Sequence, residues 1–363
     1  MSPFDFLFKK KKVKQSLLGR RQGKQGVLED GARLLQALIS ASDGKAYYPL
    51  RMFSVEEIEE AIKETYPRIS PNKEIGEAEE TYETGIYASN YKGIYQGRQI
   101  FIKAYQGERE YAFNEIATIT QINHANVVKL LGCCLEMEFP LLVYELVANS
   151  LRHRLHESNS LGPIPWEYRL RIATEIANAI TYLHIANPKP IVHRNITSSN
   201  ILLDEHCRPK LCGFTLTVTI PLGETHVKME DISGTFGYLD PDYRVTRIVS
   251  AKTDVYGFGM LLFELLSGKK PEELITIDDM HGLCKIERDE IIQWILDNGL
   301  SMDPRQVEQS VACTELVSRC ISREPDQRPP MKEVAQQLQL IERYELPSSS
   351  SSSSLAGVQQ LQE

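Results

Sequence analysis

The sequence predicts an α+β fold of two lobes, a small strand-rich lobe and a large helical one. Strand-like alternation comes early, over Gly85 to Tyr95 and Arg98 to Tyr105, joined at Gln96-Gly97. Helical periodicity dominates later. It is clearest over 166–186, where Trp166, Leu170, Ala173, Ile176, Ala177, Ile180 and Leu183 recur on one face. The chain has 363 residues, enough for two lobes or one large core. A hydrophobic content of 42% with 25% charged residues is that of an ordinary globular protein.

Charge and cysteine usage exclude several classes. The 41 basic and 49 acidic residues give a net charge of −8, so nucleic acid is not the expected partner. Seven cysteines are scattered without a C-x-x-C or paired histidine spacing, so no metal site is expected. Reduced thiols in the cytoplasm are the simple reading. No apolar run approaches the roughly 18 residues that span a bilayer. Ser2 stands where N-myristoylation needs Gly.

The N-terminal arm, 1–29, carries Phe4, Phe6, Leu7 and Phe8 beside Lys9 to Lys12. It is expected to be flexible, with at most peripheral contact at the plasma membrane. A helical extension over 30–69 follows. Asp30 is placed to cap a first helix whose Leu34, Leu35, Leu38 and Ile39 share a face, and Asp43-Gly44 ends it. Ser54 and Glu57 form a capping box for a second helix, with Phe53 placed to staple onto Ile58. That helix stops before Pro67. The main domain is read over 70–345, with a small lobe at 70–145 and a large lobe at 150–345. The serine run Ser348 to Ser354 cannot bury apolar surface, so 346–363 is expected to be a disordered tail.

The segment from Ile191 to Leu216, IVHRNITSSNILLDEHCRPKLCGFTL, reads as a buried strand, a polar loop, a short hairpin and a second loop. This layout resembles the catalytic core of the protein kinases, whose two loops read H-R-D-x-x-x-x-N and D-F-G. His193, Arg194 and Asn200 match it. Asn195 stands at the first Asp, Gly213 at the second, Thr215 at the closing Gly, and Thr197 where a Lys is usual. In such kinases the first Asp accepts the substrate proton and the second holds Mg²⁺ on the phosphates. An amide at 195 cannot act as a base near neutral pH, and Gly213 offers a cation no ligand.

Other motifs extend the resemblance over roughly 70–345. Ile100-Phe101-Ile102-Lys103 is similar to the V-A-I-K strand, which makes Lys103 the phosphate-contacting lysine and Glu115 its helical partner. Lys103, Glu115 and Asn200 are thus a remnant nucleotide site. The glycine-rich loop falls on Glu83 to Asn90 and keeps only Gly85, with Asn90 at the Val that packs on adenine. Residues 140–147 resemble the hinge, with Tyr144 at the gate of the back pocket. SGTFGYLDPDY resembles the end of an activation segment over 217–243, in which Asp242 replaces Glu and is expected to pair with Arg328. Asp254 opens the central buried helix.

The chain resembles a plant receptor-like cytoplasmic kinase, and more narrowly the ZRK group of pseudokinases. The features are Asp43 to Lys45, Phe53 to Ile58, the eroded glycine loop, His193 to Asn195 and the missing D-F-G aspartate. The resemblance implies a catalytically inactive adaptor in plant immunity with no cofactor, leaving room only for weak ATP binding. Its partners would be an NLR-type receptor and either a pathogen effector or an effector-modified receptor-like cytoplasmic kinase. Within the activation segment Thr225, His226 and Val227 are the candidate partner contacts. The alternative is a weak or unconventional ATP-dependent Ser/Thr kinase that uses Lys103, Glu115 and Asn200.

Overall fold

A computed structural model describes residues 20–42, 50–65, 79–83, 86–106, 109–147, 149–157, 162–187, 189–274, 293–294 and 302–344. The first 19 residues, Asp43 to Lys45 and the serine run therefore lie outside the described residues, as do Thr84 and Gly85 of the glycine loop.

The small lobe is built on a six-stranded sheet ordered β1 (Arg51–Met52), β5 (Leu130–Cys134), β6 (Leu141–Glu145), β4 (Arg98–Gln106), β3 (Ile86–Tyr95), β2 (Glu79–Glu83). Strands β3 and β4 pair antiparallel across the predicted two-residue turn. Gln96 and Gly97 both take positive φ, 49° and 73°, the pattern that matches the twist of a tight hairpin. Nothing in the residue pattern predicts strand β2: its five residues include three glutamates, and pairing with β3 rather than propensity makes it a strand.

Three helices belong with this sheet: one packs on β3, and the other two pack on each other. Helix α2 (Val55–Thr65) starts at the predicted capping box, with Glu57 N–H donating to Ser54 Oγ at 3.2 Å and Ser54 N–H to Glu57 Oε2 at 2.9 Å. Its apolar face, with Phe53 beside it, is buried with Ile100, Ile102 and Val143 of the sheet. Helix α1 (Lys24–Ser42) begins six residues before Asp30, and Asp30 is no cap. Tertiary bonds fix the earlier start: Gln22 N–H donates to Glu136 O at 3.0 Å and Glu138 N–H to Arg20 O at 2.7 Å. Asp30 is instead buried in mid-helix, accepting from Arg109 Nη1 at 2.8 and 2.9 Å. Arg109 opens α3 (Arg109–Ile119). Leu34 and Leu38 are buried toward it, while Leu35 and Ile39 are about half exposed, because a single packing partner covers only a narrow stripe of α1. Helices α1 and α2 thus pack with the small lobe.

The large lobe is helical: α4 (Leu151–His156), α5 (Trp166–Ile185), α6 (Pro241–Thr246), α7 (Ala251–Ser267), α8 (Pro271–Leu274), α9 (Pro304–Cys320) and α10 (Met331–Glu342). Helix α7 is its axis, buried from Thr253 to Ser267. Ser250 and Thr253 cap its start, and Gly268, at φ 71°, closes it with an N–H to Glu264 O at 2.8 Å. Helices α5 and α9 pack on α7, and α10 packs on α5. Short strands carry the loops between the lobes: β7 (Asn149–Ser150), β9 (Ile201–Leu203) and β10 (Pro209–Leu211) form one sheet, and β8 (Ile191–Val192) pairs with β11 (Val218–Thr219). Strand β12 (His226–Lys228) pairs with β13 (Ile248–Ser250). Among the described residues no helix is long and apolar enough to cross a membrane.

The expected Asp242–Arg328 pair is not formed. Arg328 instead grips Asp240, Nη1 to Oδ2 at 2.7 Å and Nη2 to Oδ1 at 2.8 Å, with both side chains buried. Asp240 is the N-cap of α6, and Asp242 lies within the first turn, its carboxyl pushed up by burial and by the charge of Asp240. The side chain at 242 is one methylene shorter than the Glu of the motif, so the guanidinium takes the carboxylate that faces it squarely. Removing one partner of a buried pair strands the other charge, so Asp240→Ala should cost about 3–5 kcal/mol in urea unfolding. Asp242→Ala should cost less than about 1 kcal/mol.

Candidate functional site

Between the lobes lies a cleft of about 370 Å³. Asn90, Lys103, Glu115, Tyr144, Asn200 and Gly213 all line it. Thr225, His226 and Val227 do not: they lie on and beside β12, with Thr225 and His226 exposed and Val227 half-buried.

Below the cleft runs the loop from His193 to Asn200, of which Ser199 and Asn200 line the cleft while Asn195 and Thr197 do not. Its polypeptide is pinned by Asp254, whose carboxylate accepts the N–H of His193 and of Arg194, each at 2.8 Å, and faces the His184 ring at 2.9 Å. Arg194 sits at φ 66°, a left-handed conformation that a non-glycine residue holds only under such restraint. The His193 ring lies between a carbonyl and an N–H. Its Nε2 must donate to Cys212 O at 3.0 Å, while its Nδ1 accepts from Asn195 N–H at 3.3 Å. That is the neutral tautomer, and burial lowers the ring's pKa accordingly.

The side chains at the degenerate positions all have partners inside the protein. Asn195 Oδ1 accepts from the Thr235 hydroxyl at 2.7 Å. Thr197 caps a short 3₁₀ turn, its Oγ1 accepting from Asn200 N–H at 3.3 Å. Asn200 donates from Nδ2 to Asn195 O at 3.0 Å. Gly213 takes φ 78° and ψ 47°, and a Cβ added there would overlap Asn200 Oδ1. The glycine suits both its left-handed backbone and the amide packed against it.

Toward the roof, Lys103 Nζ donates to Glu115 Oε2 at 3.3 Å, a pair whose lysine is 14% exposed and whose glutamate is 2% exposed. The same carboxylate accepts from Tyr105, from Thr215 Oγ1 at 2.7 Å and from Tyr144 at 2.6 Å. Burial and the neighbouring Glu115 charge raise the Tyr144 phenol far above its ordinary pKa, so it remains a donor. Phe101 lines the cleft, its ring centroid 6.5 Å from that of Tyr144. Sequence reasoning passed over Phe101, Tyr105 and Thr235. The signal for Phe101 was available, because it takes the Ala position of V-A-I-K.

A divalent cation fits this cleft poorly. Hard cations take oxygen ligands, among which one or two carboxylates usually supply the charge. Glu115 is saturated, Glu145 accepts from Lys210 at 2.7 Å and from Lys129 N–H at 3.0 Å, and Glu157 faces His153 at 2.9 Å. Among the described residues no three His, Cys, Asp or Glu side chains cluster as metal ligands would. Gly213→Ala tests the local packing: strain at positive φ plus the clash with Asn200 should lower stability by about 1–3 kcal/mol, read by urea unfolding.

Known proteins share this architecture. The family described as protein tyrosine and serine/threonine kinase matches residues 73–338. Three proteins of Arabidopsis thaliana illustrate the similarity. Wall-associated receptor kinase-like 1 is 35% identical over 93% of this chain and 45% of its own length. Serine/threonine-protein kinase ZRK1 is 32% identical over 88% of this chain and 93% of its own. Non-functional pseudokinase ZED1 is 37% identical over 87% of this chain and 96% of its own. The chain thus spans less than half of its wall-associated relatives and nearly all of the two shorter ones. It belongs to the protein tyrosine and serine/threonine kinase family, as a ZRK-like member.

Proposed function

We propose that the chain is a pseudokinase adaptor: it keeps the kinase fold, transfers no phosphate, and bridges an NLR-type immune receptor to a pathogen effector or an effector-modified receptor-like cytoplasmic kinase. One observation carries the catalytic half. Asn195 and Gly213 occupy the positions of base and metal ligand, and the Glu115 carboxylate is already held by Lys103 and Thr215. An amide whose oxygen is held by Thr235 accepts a hydrogen bond but takes no proton. The relative ZED1, named a non-functional pseudokinase, supports the same reading. The adaptor half rests on resemblance to the ZRK group, and no cofactor is required for it.

A second reading, a weak ATP-dependent Ser/Thr kinase, draws on the intact Lys103–Glu115 pair and on ZRK1, whose name is that of a serine/threonine-protein kinase. A radiolabel transfer assay separates the two. The purified protein should label neither itself nor a generic substrate, and Asn195→Asp alone should leave that unchanged, because Gly213 still offers the metal no ligand. Turnover that Lys103→Ala abolishes would overturn this. ATP should shift the melting temperature little, and equally with and without Mg²⁺.

For the adaptor role, α1 and α2 are assigned to the receptor side and Thr225, His226 and Val227 to the client side. Co-purification with a matching NLR should survive substitutions at 225–227 while client recruitment is lost. A protein that associates with no such receptor refutes the adaptor role.

A further inference from the structure

We propose that Thr215 latches helix α3 onto the floor of the cleft, so that the closed arrangement of the small-lobe helix needs neither nucleotide nor metal. This goes beyond the adaptor reading and stands whichever partner the chain binds. In the kinase pattern a glycine closes the second loop at this position, and a glycine has no hydroxyl to give. Here the Thr215 hydroxyl donates to Glu115 Oε2 at 2.7 Å and lies 2.8 Å from the Tyr105 hydroxyl and 3.4 Å from Lys103 Nζ.

The contact is one of a row. Residues 214–216 form a 3₁₀ turn whose N-cap is the left-handed Gly213. Along the inner face of α3, Asn114 Nδ2 donates to Thr215 O at 3.1 Å and to Thr217 O at 3.0 Å. One turn on, the Thr118 and Thr217 hydroxyls meet at 3.0 Å. Asn114, Glu115 and Thr118 of α3 are therefore bonded to Thr215 and Thr217. Thr215 and Glu115 are buried, so water does not compete for these groups, and no solvent donor replaces the hydroxyl if the bond is unmade. The N-terminus of α3 is held as well, through Arg109 and the buried Asp30 of α1. Helix α3 is thus bonded in both places by groups of the chain itself.

The test is amide hydrogen exchange on the full chain. In the unaltered protein, amides of 112–119 should be protected without ligand, and ATP with Mg²⁺ should change them by less than about twofold. Thr215→Val, which keeps the shape and removes the hydroxyl, should speed their exchange by about tenfold or more, with α7 changed by less than about twofold. Thr215→Ser should restore protection. If Thr215→Val loosens α7 too, Tyr144→Phe replaces it, since it deletes one donor to Glu115 and leaves the ring in place. Strong protection of α3 that appears only with ATP, or a Thr215→Val protein that exchanges like the original, would overturn the latch.

Discussion

The buried carboxylate of Asp254 holds the centre of the molecule in shape. It stands in the first turn of α7, where the unpaired N–H groups of the helix end favour negative charge. From there it takes the backbone N–H of His193 and Arg194 and the ring of His184. Those bonds force Arg194 into its left-handed conformation and turn its side chain to Leu216 O, at 3.0 Å, and to Tyr243. The loop that would carry chemistry is thereby tied to the core helix below it and to the activation segment beside it. None of these contacts involves a substrate, so the frame persists when the chemical side chains change.

Above that frame, protein groups fill places that a nucleotide and its metal would otherwise organise. Glu115 receives donors from Lys103, Tyr105, Tyr144 and Thr215. A buried ion pair alone is a doubtful source of stability, because desolvation can exceed the Coulomb gain. With neutral donors saturating the carboxylate that penalty is offset locally. The amide of Asn200 fills the space beside Gly213 and is itself fixed by Asn195 O. Large and small lobes are thus connected through hydrogen bonds supplied by the chain.

Much of this was legible in the sequence because it is local. The capping box at Ser54 and Glu57 involves residues three apart, and the Gln96-Gly97 turn needs only positive φ at adjacent residues. The helix over 166–186 and the hairpin at Ile201 to Leu211 follow from periodicity, and the identities at 195, 197, 213 and 215 are visible as soon as the loops are aligned by motif. What was misread was set by partners far along the chain. Asp30 looks like a cap until Arg109, 79 positions away, meets it. Arg328 chooses Asp240 over Asp242 by which carboxylate α6 turns toward it, 88 positions away.

The sequence by itself determined that this chain folds as a two-lobed kinase and that its loops lack the usual carboxylates, since both are properties of residue type at fixed spacing. Only the tertiary structure decided what those loops do with the absence. Whether an Asn at 195, a Gly at 213 or a Thr at 215 leaves a hole or makes a new bond depends on what stands opposite. Thr235, Asn200 and Glu115 reach those positions only because α3, α7 and the activation segment converge on one point. Hydrogen bonds act over about 3 Å, and that distance is set in space rather than along the chain.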